Sequence, residues 1–387
     1  MNHCVSQTTV GRPVRRFGLR PFPYLLSLAV GLSALSFSCP VMAEENKTSE
    51  TCFFLDTVIT ITLYGDINST AMDGCFDLLD EYEQMLSRTI EGSDIWNINH
   101  SAGEPTEVSE ETASLIETAL YYSEVSDGAF DITITPLIEL WDIDGKSGTI
   151  YETDTESAAA DTQTDSETGS ETDTNTDSES DPDSDSAASP IPSDAEIAEA
   201  LSHVDYTAVS LDGTSVTLSD AAAEIDLGGI AKGYIADRLE EYLLSQGIES
   251  ALINLGGNVQ TIGTKPDGSS WKIGIQKPFG QTSDLITVVE CTGESVVTSG
   301  TYERYFEVDG TIYHHILDPK TGYPADNGLT SVTILADSST ECDALSTTCF
   351  LLGLEDGMAL IESLDGIEAL FITEDETMLR SSGFPEE

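Results

Sequence analysis

A short glycine-containing stretch, Glu224-Ile-Asp-Leu-Gly-Gly-Ile-Ala-Lys-Gly-Tyr-Ile-Ala-Asp237, constrains this chain more than any other segment. Its pattern predicts a strand that turns into a helix, with Gly228 and Gly229 at the turn. Glycine lets the backbone come close to a ligand because it has no Cβ, and the start of the helix offers unpaired N–H groups to an anion. Lys232 can add a positive charge. Asp226 would repel a phosphate, so we expect it to hydrogen-bond a base or ribose, or to help hold a divalent cation. An ordinary strand-to-helix turn is the alternative interpretation.

The N-terminus has the features of an export signal. Four arginines precede the apolar run Tyr24 to Phe37, and Val41-Met-Ala43 supplies a signal-peptidase site. Residues 1–43 are therefore predicted to be a signal peptide, which puts the mature protein outside the cytoplasmic membrane. Two alternatives stay open: an uncleaved membrane anchor, and a lipid anchor on Cys39. The second fits the lipoprotein cleavage pattern poorly, because Leu35 lies one residue too far from Cys39.

Acidic residues dominate the composition, with 70 Asp and Glu against 15 Lys and Arg. Residues 1–43 hold four of the arginines and none of the acids, so 11 basic residues remain against 70 acidic ones. Such a chain is a poor partner for nucleic acids and anionic membranes, because both attract basic surfaces.

One segment, residues 151–189, holds 13 of the acids and no Lys or Arg. It cannot bury enough apolar surface to offset chain entropy, so we predict a disordered acidic insertion. Calcium binding is the alternative, but the acids lack the spacing and the glycine of an EF-hand. Residues 44–150 and 190–387 are predicted to form one domain around this insertion.

Five cysteines remain outside the leader, and none forms a Cys-x-x-Cys pair, so the sequence does not favour a structural zinc site. Burial as small apolar side chains is the favoured interpretation. A disulfide between Cys52 and Cys75 is the alternative.

Helical and strand patterns alternate without a repeated βαβ rhythm, which predicts an α+β fold with largely antiparallel sheets and packed helices. Helices are predicted over the apolar series from Met72 to Leu86, after the capping residue Ser109, around 193–201, and after the Gly-Gly turn. Strands are predicted at 57–64, 251–255, 271–276, 286–291, 312–317, 331–335 and 369–373.

Asp343-Ala-Leu-Ser-Thr347 is predicted to open a helix. Asp343 and Thr347 are four residues apart and so point from the same helix face. Their carboxylate and hydroxyl can reach one hard cation, and magnesium prefers such oxygen ligands. An N-terminal helix cap is the alternative interpretation.

Two histidines, His314 and His315, precede the turn Asp318-Pro-Lys-Thr-Gly-Tyr-Pro324, which would fix them at the end of a strand. Imidazole titrates near neutral pH and can accept a proton or contact a phosphate. A histidine in a strand is more commonly a satisfied core or surface group.

Four blocks together resemble the ApbE family, the FAD:protein FMN transferases. They are Asp127-Gly-Ala-Phe-Asp-Ile-Thr-Ile-Thr-Pro-Leu-Ile-Glu-Leu-Trp141, the Gly-Gly stretch, Ser299-Gly-Thr-Tyr-Glu-Arg-Tyr-Phe306 leading to His314-His-Ile-Leu-Asp-Pro-Lys-Thr-Gly-Tyr-Pro324, and Asp343-Ala-Leu-Ser-Thr-Thr348. Their order and spacing follow the family over about residues 53–375, apart from the insertion. The resemblance implies the ApbE-like, T-fold-like flavin transferase fold.

The resemblance also implies roles for particular residues. Gly229, through its backbone carbonyl, Asp343 and Thr347 would ligate Mg²⁺, and His315 and Asp226 would act at the catalytic centre. Contacts to FAD are expected from Leu55, Thr89, Ala129, Phe130, Asp131, Asp226, Lys232 and Ile316, with Trp141 helping to wall the pocket.

The chain departs from the family pattern at four places. Leu55-Asp-Thr57 replaces a Met-Gly-Thr pattern, Thr89 stands where some relatives have tyrosine, and Trp141-Asp-Ile143 replaces Trp-Gly-Phe. Ser346 stands where some relatives carry another acidic residue, so this departure affects the completeness of the predicted set of metal ligands.

The activity implied is Mg²⁺-dependent transfer of FMN from FAD to a threonine or serine of another protein, with release of AMP. The acceptors implied are subunits of membrane redox complexes or exported flavoproteins. An FAD pyrophosphatase that yields FMN and AMP would use the same site, and a non-catalytic flavin-binding surface protein is the alternative from another class.

Overall fold

The computed structural model describes residues 46–65, 69–152, 189–281 and 283–385, together with the backbone of Val5–Ser6. The predicted leader over 1–43, including Cys39, otherwise lies outside the described residues. So does the predicted insertion over 151–189, except at its two ends.

Helices make up one layer of the described fold. They are α1 (Ser69–Leu86), α2 (Asp94–Asn99), α3 (Glu110–Val125), α4 (Thr135–Trp141), α5 (Ile143–Lys146), α6 (Asp194–Leu201), α7 (Ala231–Ser245) and α8 (Ser339–Glu362), with a 3-10 turn at Tyr206–Ala208.

The described strands are β1 (Val5–Ser6), β2 (Lys47–Phe54), β3 (Thr57–Tyr64), β4 (Thr106–Glu107), β5 (Ile150–Tyr151), β6 (Val209–Asp212), β7 (Ser215–Leu218), β8 (Ala251–Leu255), β9 (Asn258–Ile262), β10 (Trp271–Gln276), β11 (Leu285–Cys291), β12 (Ser295–Gly300), β13 (Tyr305–Val308), β14 (Thr311–His314), β15 (Leu329–Ala336), β16 (Glu368–Thr373) and β17 (Met378–Arg380). Nine of them form one sheet in the order β1-β2-β3-β8-β9-β12-β15-β16-β17, with every neighbouring pair antiparallel. The predicted α+β class with largely antiparallel sheets is confirmed.

Local sequence explains the helix starts. Ser109 caps α3 by accepting a hydrogen bond from the Thr112 amide at 3.1 Å. Ser193 and Glu196 form a capping box at the start of α6. On α1, the apolar series from Met72 to Leu86 lies against the sheet and α7, as its helical spacing predicts.

Three apolar clusters hold these layers together. The largest packs α1, α3, α7 and α8 against one face of the nine-stranded sheet. A second lies on the opposite face beneath the β10–β11 hairpin, centred on Trp271. The third joins α4, α6, β13 and β14 around Trp141 and Phe306.

Strands with polar residues were missing from the sequence prediction. β9 reads Asn-Val-Gln-Thr-Ile and every residue in it is buried, because the sheet is covered on both faces at this point. The predicted strand 312–317 is shorter in the structure and ends at His314. All five cysteines of the described chain are buried, and Cys75 carries a free thiol, which excludes the alternative disulfide.

Among the described helices, α8 is the one long and apolar enough to cross a membrane by length and composition. Half of its most apolar window is buried within the fold. It therefore packs as a core helix, and it also forms a wall of the cavity described next.

Candidate active site

A large cavity of about 1280 Å³ opens between the helical layer and the ends of the central strands. Its walls come from the end of α1, the segments around 129–144 and 226–235, the β8–β9 turn, β10, residues 296–304 and 315–319, and α8. The volume lies above the roughly 300–1,000 Å³ usual for a small-ligand pocket, so it has room for a large ligand.

The structure brings to this cavity every residue predicted to bind the metal, contact FAD or act in catalysis. Those that line it are Leu55, Thr89, Ala129, Phe130, Asp131, Asp226, Gly229, Lys232, His315, Ile316, Asp343 and Thr347. They come from six separate parts of the chain, so their meeting is a tertiary property. Their individual roles stay predictions.

The contact between α7 and α8 fixes Asp343. The amide of Gly233 donates a hydrogen bond to Asp343 Oδ2 at 2.8 Å. A Cβ on Gly233 would lie 2.2 Å from the Ser339 carbonyl oxygen and 2.7 Å from the Asp343 Cβ, so only glycine allows the helices to come this close. Asp343 is 3% exposed, and burial raises the pKa of its carboxyl. Burying a carboxylate that accepts one hydrogen bond is costly unless its charge is compensated, and binding a cation would compensate it.

The prediction that Asp343 opens its helix is wrong. α8 begins at Ser339, and its cap is Ser338, whose hydroxyl accepts a hydrogen bond from the Glu341 amide at 3.3 Å. At the same helix end, Asp237 Oδ1 of α7 accepts a hydrogen bond from the Ser339 amide at 2.7 Å. Asp343 consequently lies in the second turn, which removes the helix-cap alternative and leaves its carboxylate for the cavity.

Thr347 lies one turn beyond Asp343 and faces the Gly-Gly turn. A Cβ on Gly229 would lie 3.9 Å from Thr347 Oγ1 and 3.0 Å from Phe130 Cε2, so the glycine backbone fits closely between these side chains. Thr347 Oγ1 is 3.1 Å from Ser299 Oγ. Ser346 is fully buried and bonds Ser299 at 2.7 Å, so it packs behind the cavity wall and is not one of the cavity-lining residues.

The Gly-Gly stretch departs from the predicted strand-to-helix turn. Glu224 forms only an isolated parallel bridge to Ile134, and α7 begins at Ala231, after a residue without a side-chain cap. The Asp226 amide donates to the Ile132 carbonyl at 2.8 Å, which fixes the approach to the turn. The Gly228 amide donates to Asp226 Oδ1 at 2.6 Å, so it is already engaged within the chain.

Asp226 has a partner that no sequence motif indicates. Arg88, two residues beyond the end of α1, places its Nε 2.9 Å from Asp226 Oδ2 and its other arm 3.1 Å from Glu139 Oε1. Arg88 lines the cavity. No local pattern around Arg88 marks it, because its partners lie in distant segments.

The two histidines have different environments. His314 is buried, its Nε2–H donates to the Ala325 carbonyl at 2.9 Å, and its Nδ1 accepts from the Ile316 amide at 3.3 Å. Both ring nitrogens are satisfied, so His314 is a core residue. His315 lines the cavity, with Nδ1 3.3 Å from the Arg304 carbonyl oxygen. Burial and the nearby Arg304 lower the pKa of His315 to about 3, so its ring is neutral at neutral pH.

Glu303 is a second cavity residue that sequence reasoning missed. Its side chain meets solvent within the recess, yet protein surrounds it, and this burial raises the pKa of its carboxyl to about 7. Its carboxylate makes no hydrogen bond or ion pair with another described residue. The block Ser299 to Phe306 carried the resemblance, and its glutamate could have been considered for that reason.

Charge around the cavity is strongly unbalanced. The described lining residues include nine carboxylates, on Asp56, Glu83, Asp131, Glu139, Asp142, Asp144, Asp226, Glu303 and Asp343, against the cations Arg88, Lys232 and Arg304. Arg88 is paired as above, and Arg304 lies 3.1 Å from Asp144. Lys232 makes no ion pair with a described residue, so its ammonium is available to an anionic ligand.

The segment 129–144 contributes packing and shape. Asp131 lines the cavity, but its oxygens accept hydrogen bonds from the Thr133 amide and hydroxyl and from the Tyr206 amide, at 2.7–2.9 Å. The expectation that Trp141 walls the pocket is wrong. Its ring is fully buried in the third cluster, against Tyr313 and Tyr323, and its Nε1 donates to the Gly322 carbonyl at 2.8 Å.

A cation could be held only by a mixed set of ligands. Within the ranges that the structure describes, no three or more His, Cys, Asp and Glu side chains come together as a metal cluster. Asp343, the Thr347 hydroxyl and the backbone at Gly229 converge instead. One carboxylate with neutral oxygens leaves positions for ligand oxygens, as magnesium sites commonly do.

Comparisons with known proteins show which family the chain belongs to. The model of the ApbE family matches residues 55–371. An FAD:protein FMN transferase of Klebsiella pneumoniae (strain 342) is 38% identical over 88% of this chain and 94% of that protein. One from Treponema pallidum (strain Nichols) is 33% identical over 89% of this chain and 90% of that protein.

Solved structures show the same fold. The ApbE protein of Thermotoga maritima superposes with a TM-score of 0.71 at 34% identity, covering 88% of this chain and all of that one. The flavin transferase ApbE of Vibrio cholerae gives a TM-score of 0.69 at 27% identity, covering 88% and 98%. The fold is thus that of the ApbE flavin transferases.

The chain belongs to the ApbE family, and it is accordingly an enzyme, a transferase.

Proposed function

We propose that this enzyme transfers FMN from FAD to a threonine or serine hydroxyl of an acceptor protein in a Mg²⁺-dependent reaction that releases AMP. The observation that carries this proposal is the convergence of Asp343, Thr347 and Gly229 in one large cavity, beside Lys232, which makes no ion pair with a described residue. The pyrophosphate of FAD needs positive charge, and this cavity holds far more carboxylates than cations. A divalent ion held by these residues would stabilise the charge that develops on the phosphate oxygens.

The transfer balances as a substitution at phosphorus. The acceptor oxygen forms a bond to the FMN-side phosphorus, the bond from this phosphorus to the bridging oxygen breaks, and AMP leaves with the bonding electrons. The hydroxyl proton passes to an acceptor in the site. Since phosphoryl transfer depends mainly on positioning and electrostatics, fixed walls such as the α7–α8 contact favour it.

His315 and Asp226 are the proposed acid–base and orienting groups. With Nδ1–H donating to the Arg304 carbonyl, Nε2 of the neutral His315 ring is left as a proton acceptor. An anionic pyrophosphate beside Lys232 and Arg304 would reduce their repulsion and raise the pKa of His315 from its low value. Asp226 orients the ligand through the turn that it holds. Leu55, Thr89, Ala129, Phe130, Asp131 and Ile316 are proposed to shape the flavin and adenine ends.

We also propose where the reaction takes place. The leader features of residues 1–43 support export, and the acceptors would then be subunits of membrane redox complexes or exported flavoproteins. Whether the chain is freed, anchored by an uncleaved leader or lipidated at Cys39 can be read from the mass of the native N-terminus.

The first test combines the purified protein with FAD, Mg²⁺ and a flavoprotein subunit that carries an acceptor threonine. Intact mass should show one added FMN on the acceptor, and AMP should appear in equal amount. Asp343→Asn keeps the side-chain size and should lower the rate by about 100-fold or more. The matched control is Asp337→Asn, an exposed acid that does not line the cavity, and it should keep the wild-type rate.

Other outcomes would identify a different function. Steady release of FMN and AMP without an adduct would identify an FAD pyrophosphatase. Flavin binding without turnover would identify a flavin carrier, and either result would contradict the transferase proposal.

A further inference from the structure

The ion pair between Arg88 and Asp226 connects a residue outside every predicted motif to the Gly-Gly turn. We infer that Arg88 is a positioning residue for the transfer reaction, acting through Asp226 on the Gly228–Gly229 turn. This inference rests on the proposed function of the cavity.

The guanidinium of Arg88 joins three parts of the cavity wall. Its Nε lies 2.9 Å from Asp226 Oδ2, and its Nη1 lies 3.1 Å from Glu139 Oε1 on α4. Arg88 follows the end of α1. The side chains of Arg88 and Asp226 are only 23% and 21% exposed, whereas Glu139 is 58% exposed. The Asp226 arm is therefore the better shielded of the two and should be the stronger contact.

Asp226 links Arg88 to the backbone of the turn by hydrogen bonds. Its Oδ1 accepts the Gly228 amide at 2.6 Å, and its own amide donates to the Ile132 carbonyl at 2.8 Å. The carboxylate is thus held on one oxygen by Arg88 and on the other by the turn. The next residue, Gly229, is the one whose backbone fits between Phe130 and Thr347.

Arg88 also explains how an acid can lie beside a pyrophosphate site. An unpaired Asp226 would repel the phosphates of the ligand. Pairing with a guanidinium offsets part of that charge while the carboxylate keeps its geometric role. Lysine could supply the charge but not the planar, two-armed contact that reaches both Asp226 and Glu139.

The experiment measures kcat, the KM for FAD and the Mg²⁺ concentration that gives the half-maximal rate. The variants are Arg88→Ala, Arg88→Lys, Asp226→Asn, Glu139→Gln and the double variant that combines Arg88→Ala with Asp226→Asn. Arg88→Ala should lower kcat/KM for FAD by roughly 10- to 100-fold, the range seen when supporting contacts of a metal or ligand site are lost. It should also raise the Mg²⁺ requirement. Arg88→Lys should recover part of the loss, and Glu139→Gln should stay within about threefold of the wild type.

The double variant decides whether Arg88 acts through Asp226. If it does, adding Arg88→Ala to Asp226→Asn should cost less than about threefold, because the contact is already lost. Full additivity of the two losses would overturn the inference. So would an Arg88→Ala variant that changes only the melting temperature.

Arg238→Ala serves as the matched control, since Arg238 forms an ion pair of the same 2.9 Å length with Glu241 and does not line the cavity. Its kinetics should match the wild type. If the wild type itself transfers no FMN, the proposed function fails, and the Arg88 inference is then decided by FAD binding. Coupling between Arg88→Ala and Asp226→Asn in the Kd for FAD would support it, and additive effects would overturn it.

Discussion

Two walls of the same cavity carry similar chemical groups in very different surroundings. On the α7–α8 wall, Asp343 is buried and held by the Gly233 amide at 2.8 Å. On the wall formed by residues 296–304, Glu303 lies in a solvated recess and makes no hydrogen bond or ion pair with a described residue. The first carboxylate is fixed by the packing of two helices, whereas the second can adapt to a ligand.

The comparison shows how one site can combine rigidity with electrostatic adjustment. A wall with fixed backbone contacts can hold a cation in place without a cost of reorganisation. A wall of weakly held charges can respond to the ligand and to pH. Substitutions on the first wall should therefore change stability and activity together, and those on the second should change ligand binding alone.

The largest effect is expected from Gly233→Ala on the α7–α8 wall. The added Cβ would meet the Ser339 carbonyl oxygen at 2.2 Å, so the two helices must separate and Asp343 must move. We expect a loss of about 1–3 kcal/mol in the free energy of unfolding, together with most of the FMN transfer. Denaturant titration and the acceptor-mass assay measure the two quantities.

Leu244→Ala is the control for this substitution, because Leu244 is an exposed residue of the same helix. It should lose less than half as much stability and keep its activity. Wild-type stability in Gly233→Ala would show that the wall is less rigid than its geometry indicates.

A smaller effect, on binding alone, is expected from Glu303→Gln on the wall formed by residues 296–304. Burial raises the pKa of Glu303 to about 7, so it gains charge as the pH rises through neutrality. A charged Glu303 beside Lys232 repels an anionic ligand. In metal-free wild-type protein, the affinity for FAD should therefore fall by roughly three- to tenfold between pH 6 and pH 8.

Glu303→Gln should bind FAD with little dependence on pH over this range, while its melting temperature stays near that of the wild type. Flavin fluorescence titration at each pH provides the measurement. A variant that keeps the wild-type pH dependence would assign it to another group.

The smallest effect is expected from Glu240→Gln, behind the α7–α8 wall. Glu240 accepts a hydrogen bond from Gln260 Nε2 at 2.8 Å, and burial raises its pKa to about 7. A raised carboxyl pKa means that the folded state binds the proton more tightly. Stability from this group is therefore present below the unfolded pKa near 4.5 and is lost as the pH rises toward 7.

Glu240→Gln keeps the accepting oxygen and removes the charge. It should match the wild type at pH 4 and be more stable at pH 8, by on the order of 1 kcal/mol because solvent screens part of the full shift. Thermal unfolding at both pH values tests this. Equal stability changes at the two pH values would rule out titration of Glu240 as the cause.

Several features could be predicted from the sequence because they depend on neighbours along the chain. The strands over 57–64, 251–255 and 271–276 have the predicted bounds, since their alternation of apolar residues matches a half-covered sheet. The cap at Ser109 is likewise a local contact. The buried polar strand β9 and the true start of α8 were missed, because both depend on elements that pack against them from elsewhere.

The sequence by itself determined the family, the α+β class and the set of residues brought to the cavity, because the motifs hold those residues in fixed local order. Only the tertiary structure decided that His314 is a core residue while His315 faces the cavity, and that Asp226 is paired with Arg88. The physical reason is that burial, charge neutralisation and helix contact are set by groups far away in the chain. The residue types in one segment do not indicate which distant residues will contact them in the folded protein.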